Sequence, residues 1–167
     1  MSRTIRPLGP ADVDLFREIR LEALRLSPEA FGSTYDIESR RPPEVFAERL
    51  AGSTVFGGFD GGALLGLAGF KQEDGLKERH KAMLWGLYVR PAGRGTGLAA
   101  QLVAAVLDHA RGRVEQVMLA VVADNEAARR LYAAAGFVEY GLERDSLKFD
   151  GRYYDERLMA VKLSTRR

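Results

Sequence analysis

Leu84-Trp85-Gly86-Leu87-Tyr88-Val89-Arg90-Pro91-Ala92-Gly93-Arg94-Gly95-Thr96-Gly97-Leu98-Ala99 reads as strand, proline, glycine-rich turn and helix. The apolar run stops at Pro91. Beyond the glycines, Leu98, Leu102, Ala105 and Val106 recur on one side of a helix expected over 97–109. Glycines at such a junction let the backbone approach an anion closely. The unbonded amides of the helix start, aided by its dipole, then favour phosphate, and a diphosphate is the natural guest. Gly93-x-Gly95-x-Gly97 taken alone also fits a plain turn. No Lys followed by Ser or Thr comes after the glycines, so this is not a P-loop. The turn sits mid-chain after an antiparallel strand, which speaks against a dinucleotide-binding βαβ start.

Upstream, 82–89 is a strand and 71–80 the polar loop before it. Residues 54–59 and 63–70 flank Asp60-Gly61 with a hairpin signature, so three consecutive strands are antiparallel. A short strand at 4–8 precedes a helix that starts at Gly9-Pro10, carries Val13, Phe16, Ile19, Ala23 and Leu24, and stops at Ser27-Pro28. Residues 29–41 lack a regular pattern and read as a binding loop; Pro42-Pro43 opens a short helix with Val45, Phe46 and Leu50. Downstream, 116–122 is almost continuously apolar, as in a strand buried on both faces. Asp124 or Asn125 caps a helix through Ala135, and Gly136 ends it. Strands at 137–143 and 153–163 follow, with Asp150-Gly151 turning into the latter, and Arg166-Arg167 reads as a frayed end. The expected fold is one α+β domain over 1–167, a mixed central sheet of about seven strands with about four helices, the two middle ones crossing over near a parallel pair.

A chain of 167 residues, 46% of them hydrophobic, can bury one sizeable core. Lys and Arg number 25 against 23 Asp and Glu. With no run of like charge and no aromatics interleaved with basic residues, nucleic acid is not an expected partner. The absence of cysteine rules out an acyl-cysteine intermediate. With only His80 and His109 there is little material for a serine–histidine relay or a metal cage, so no metal is expected and group transfer should run directly from donor to acceptor. No apolar run is long enough to span a membrane and Met1-Ser2-Arg3-Thr4 does not open a signal peptide, which leads to an expected cytoplasmic location. His109, near a helix end, needs no function because the dipole there favours positive charge.

A second segment, Asp124-Asn125-Glu126-Ala127-Ala128-Arg129-Arg130-Leu131-Tyr132-Ala133-Ala134-Ala135-Gly136-Phe137, follows the first by one helix and one strand. The two together resemble the GNAT N-acetyltransferase superfamily: the first its pyrophosphate motif, the second its Asn-to-Tyr helix. Tyr153-Tyr154-Asp155-Glu156-Arg157-Leu158-Met159 is similar to a closing strand of many members, and Ser27-Pro28-Glu29-Ala30-Phe31-Gly32-Ser33 to their opening region. Ala92 stands where members commonly carry Gln or Arg. The resemblance implies acetyl-CoA as co-substrate, with Arg94, Gly95, Thr96, Gly97, Leu98 and Ala99 as the diphosphate cradle. The backbone of Leu87, Tyr88 and Val89 would pair with the pantetheine amides, and Asn125 would bond the coenzyme from the slot edge. The slot itself would lie between a splayed parallel pair, to which Gly86 is suited as a bulge. Tyr132 would be the general acid to the departing thiolate; its other reading is a ring packed in a helix.

The implied acceptor is a primary amine on a small molecule or peptide, with Phe31, Tyr35, Tyr153 and Tyr154 around it. A homodimer is an expectation from the family alone. Residues 83–89 hold no carboxylate, so the general base is left among Glu73, Asp74, Glu78, His80 and Glu29, or water only, each side chain reading equally as solvated surface. Two other functions stay open: a non-catalytic acyl-CoA sensor, and a module that uses the glycine turn for a nucleotide or nucleic acid.

Overall fold

Turn chemistry drives the first half of the chain into an antiparallel meander. In the computed structural model, which describes residues 2–163, β1 (Arg3–Pro7), β2 (Thr54–Asp60), β3 (Ala63–Gln72) and β4 (Lys81–Val89) pair in that order, all antiparallel. The β2–β3 hairpin turns on Gly61-Gly62, both at positive φ, one residue later than Asp60-Gly61 suggested. β5 (Gln116–Val122) then lies parallel to β4, and β6 (Val138–Phe149) and β7 (Arg152–Lys162) complete a seven-stranded mixed sheet in the order β1-β2-β3-β4-β5-β7-β6. Among the described residues no helix is long and apolar enough to cross a membrane.

Helices cover both faces. On one, α1 (Val13–Leu26), α2 (Tyr35–Glu38) and α3 (Pro43–Gly52) border a core of Phe16, Ile19, Phe46, Val55, Leu67 and Tyr88. On the other, α4 (Leu98–Ala110) and α5 (Glu126–Ala134) enclose Phe70, Leu84, Leu102, Val106, Leu119 and Phe137. β4 contributes alternately to both, which places its backbone at the junction of the two cores.

Three further features depart from the sequence reading. The turn of helix α2 lies inside the segment expected to be irregular. Thr34 caps it by accepting from the Ile37 amide, and its last residue, Glu38, is 1% exposed between two arginines, a long-range tie that local pattern cannot show. β6 runs on to Phe149 because Asp150 and Gly151, both at positive φ, hold a tight hairpin; bulges after Glu139 and Glu143 disguise its period of two. His109 sits edge-on to Phe56 and Phe70, and that burial, with Arg113 nearby, lowers its pKa, opposite to the direction expected from the helix dipole. Arg166-Arg167 lies outside the described residues.

Candidate active site

β4 and β5 stay paired for only three positions, Lys81↔Gln116, Ala82↔Val117 and Met83↔Met118. Beyond Met83, β4 is bulged: Gly69 faces Trp85 and Leu67 faces Tyr88, so Gly86 and Leu87 together oppose Ala68. Gly86 adopts φ +69, a conformation costly for any side chain-bearing residue. A bulge bends and twists its strand, whereas β5 is held straight by continuous pairing with β7 from Gln116 to Val122. The strands therefore part, and a cleft of about 980 Å³ opens between them, at the upper end of the usual range for small-molecule sites. Leu87, Tyr88 and Val89 form one wall; Val122, Asn125, Ala128 and Leu131 form the other.

At the mouth of the cleft the backbone presents a set of unbonded donors. Among the described residues, Gly95, Thr96 and Gly97 donate to no backbone carbonyl, and the first bond into α4 runs from the Gln101 amide to the Gly97 carbonyl at 3.1 Å. The amides of Leu98, Ala99 and Ala100 thus precede the helical ladder, as the first turn of a helix must. Gly95 and Gly97 have φ +72 and +83, and a Cβ at either would meet nothing within 4 Å, so these glycines serve conformation and leave the space above them open. Gly93 differs: a Cβ there would lie 3.0 Å from Val89 and 3.2 Å from Leu98, so it is a packing glycine. Thr96 Oγ1 closes the loop by donating to the Gly93 carbonyl. Ala92 is exposed, so the residue type there does not shape the loop.

The other expected coenzyme residues converge with these. Arg94 and Ala99 line the cleft, and Arg94 Nε donates to the Val89 carbonyl at 3.0 Å with its guanidinium 5.9 Å from the Tyr88 ring centroid. Leu98 contributes only its backbone, since its side chain is buried in the core. The Asn125 side-chain oxygen accepts from the Ala128 amide at 3.2 Å, capping α5 and leaving its NH₂ for the cleft. Tyr132 is 7% exposed and set edge-to-face on Phe137, on the same helix as Ala128 and Leu131, which line the cleft. Its hydroxyl has no hydrogen-bond partner among the described residues, and burial pushes the phenol pKa far upward.

Around the acceptor end the structure sorts the candidates. Phe31 and Tyr154 line the cleft. Tyr35 instead borders a separate polar groove with Asp14, Arg17, Glu18, Glu22 and Arg25. Tyr153, one residue from Tyr154 and therefore on the opposite face of β7, is 55% exposed under Lys148. Glu73, Asp74, Glu78 and His80 precede Lys81 at the closed end of the slot, about 20 Å of strand from Leu87. None of them lines the cleft. Glu29 does. So does Asp124, which is tied to Arg152 at 3.0 Å. That ion pair was not readable from sequence, since it joins the residue before the α5 cap to a hairpin whose register depends on the β6 bulges. Tyr88, whose hydroxyl donates to Glu22 at 2.9 Å, has its pKa raised by burial and by that carboxylate. Among the described residues no three His, Cys, Asp or Glu side chains are placed to hold a metal.

Known proteins resemble this chain in sequence and fold. The acetyltransferase (GNAT) family profile matches residues 17–137. The N-alpha-acetyltransferase RimI of Mycobacterium tuberculosis is 36% identical over 112 residues, 66% of this chain and 69% of that protein. The L-methionine sulfoximine/L-methionine sulfone acetyltransferase of Salmonella typhimurium is 30% identical over 162 residues, 96% of this chain and 94% of its own length. Among solved structures, the yncA acetyltransferase of Salmonella typhimurium with its cofactor acetyl-CoA superposes with a TM-score of 0.84 at 25% identity, covering 100% of this chain and 97% of that one. With that profile spanning residues 17–137, the chain belongs to the acetyltransferase (GNAT) family.

Proposed function

We propose that this chain is an acetyl-CoA-dependent N-acetyltransferase that passes the acetyl group straight to an amine acceptor. The observation that carries the reading is the parting of β4 from β5 after Met83 beside a run of unbonded amides at 95–100. The dimensions and donors fit acetyl-CoA: a diphosphate suits the amides, and a pantetheine arm suits the free edge of Leu87, Tyr88 and Val89 as an added strand. Arg94 would then leave the Val89 carbonyl and turn to the phosphates. Acetyl-CoA supplies an activated acyl group on a thiolate leaving group.

The chain's own groups do the rest. A backbone amide of the bulged segment, at Tyr88 or Val89, stabilises negative charge developing on the carbonyl oxygen. Glu29 takes the proton that the attacking amine must shed, directly or through water. Among the described residues it is the carboxylate at the cleft that is free of an ion pair, whereas Asp124 is held by Arg152. Tyr132 donates a hydrogen bond to the departing sulfur. Its raised pKa keeps it protonated and makes complete transfer to a thiolate, whose acid has a pKa of about 8.5, an uphill step. Tyr132 thus stabilises the leaving group as a donor, and Phe31 and Tyr154 flank the incoming amine.

Thermal denaturation with acetyl-CoA, ATP, NAD and single-stranded DNA tests the reading. Acetyl-CoA at a hundred times its Kd should stabilise the fold by about 2.7 kcal/mol and the others should not. A response to ATP or DNA alone would end it.

A further inference from the structure

Where α1, α2 and α3 meet, one cluster holds a single carboxylate and two guanidiniums. Glu38, 1% exposed, is shared by two guanidiniums: Arg49 at 2.5 Å, and Arg20 at 3.3 Å. Burial alone would raise the Glu38 carboxyl, but hydrogen bonds from Arg49 and Ser33 and the charge of Arg20 hold it below its ordinary value, so it is ionised. Asp36, the nearest acidic residue in sequence, pairs with Arg40 instead. One carboxylate against two guanidiniums leaves a positive charge in a largely buried cluster. Such a charge is unfavourable until an anion completes it.

The open valence faces the bulge in β4. Arg20 is 8% exposed and directs Nε and Nη2 to Glu38. Its Nη1 makes no hydrogen bond among the described residues and stands 3.8 Å from where a Cβ on Gly86 would be. Gly86 is the bulge at which β4 leaves β5, and the absence of a side chain there leaves the approach to Nη1 clear. The guanidinium is framed by the rings of Phe31 at 5.3 Å and Trp85 at 5.9 Å, and Phe31 is itself a wall of the cleft. Rings that keep water from a guanidinium strengthen whatever oxyanion it meets.

We propose that Arg20 determines acceptor specificity by binding a carboxylate through Nη1, and that the acceptors of this chain are amines bearing a carboxylate one carbon from the reacting nitrogen, as in a free α-amino acid. The inference rests on the acetyltransferase reading. A carboxylate seated at Nη1 places the neighbouring amine beside the Gly86 bulge, where the acyl carbon is expected. The guanidinium charge also favours the neutral, nucleophilic form of that amine. A peptide N-terminus, whose carboxylate lies far down the chain, and a simple alkylamine both lack the group that Arg20 would hold.

The test uses matched pairs: apolar and polar L-amino acids and their primary amides, followed by thiol release at saturating acetyl-CoA and by thermal shift in the presence of coenzyme A. The preferred acid should exceed its amide in kcat/KM by about ten- to a hundredfold, the worth of a charge-assisted hydrogen bond, and only the acid should raise Tm. Arg20→Lys keeps the charge but not the planar fork. It should raise KM for the acid by more than for the amide, leave the acetyl-CoA Kd unchanged, and so erase the preference. If Arg20→Met does not fold, the acid–amide pairs on the unaltered chain still decide. Equal turnover and equal thermal shift by acid and amide, or an Arg20→Lys loss that falls on both alike, overturns the proposal. Failure of the unaltered chain to bind acetyl-CoA would bring down the acetyltransferase reading itself, and this inference with it.

Discussion

The two ends of the cleft are built from different materials. The end proposed for the coenzyme is main chain from one contiguous stretch, Gly86 to Ala99, with three glycines at positive φ fixing the path and unbonded amides as the proposed donors. The end proposed for the acceptor is assembled from side chains that the sequence scatters, Glu29 and Phe31 in the loop after α1 and Arg152 and Tyr154 on β7, with Arg20 on α1 proposed beside them. At the first end identity matters because of backbone conformation. At the second it matters because of what each side chain touches. Substitutions at the two ends should therefore fail in different measurements.

The largest effect is expected at Gly97. A β-branched residue at φ +83 is strained and would pull the loop from its path. Losing one or two charge-assisted bonds to phosphate, each about 1.5–3 kcal/mol, should weaken acetyl-CoA binding by about a hundredfold or more in Gly97→Val, read by calorimetry. Next, Tyr132→Phe should lower kcat by about a hundredfold, the cost of one preorganised donor, with the acetyl-CoA Kd within about twofold of the parent. An unchanged kcat would leave Tyr132 as a packed ring and no more. Glu29→Gln should reduce kcat/KM by about tenfold at neutral pH, with partial recovery in alkali as the free amine fraction rises; equal loss at all pH values would argue against proton transfer to Glu29. The smallest effect belongs to His109, away from either end. Its folded pKa is depressed, so the stability it contributes is complete above the ordinary histidine pKa and is lost as pH falls toward the folded value. His109→Leu should therefore shrink the Tm drop between pH 7 and pH 5, and an unchanged drop would assign it to other groups.

Why one end was legible and the other was not follows from the same contrast. Pro91 after an apolar strand, the glycines at 95 and 97, and the spacing of Asn125 to Tyr132 are local signals with local causes, and they located β4, α4, α5 and the cradle. Phe31 and Tyr154 line the cleft. Tyr35 and Tyr153 lie off the cleft, and a loop of unknown path and a strand of unknown phase do not say which way a ring faces. Glu73, Asp74, Glu78 and His80 were close to β4 in sequence but at its wrong end, since only the direction of the β4–β5 splay shows where the slot opens. The Arg20–Glu38–Arg49 cluster joins three helices, and the Asp124–Arg152 pair joins the residue before a helix cap to a hairpin. No periodicity announces either.

The central claim is that the amides at 95–100 hold a diphosphate while β4 carries the arm attached to it. Calorimetric titration with coenzyme A and with pantetheine, which lacks the diphosphate, tests this most directly. Coenzyme A should bind and pantetheine should lose at least about a hundredfold in affinity. Pantetheine binding as tightly as coenzyme A, or neither binding, would contradict the account.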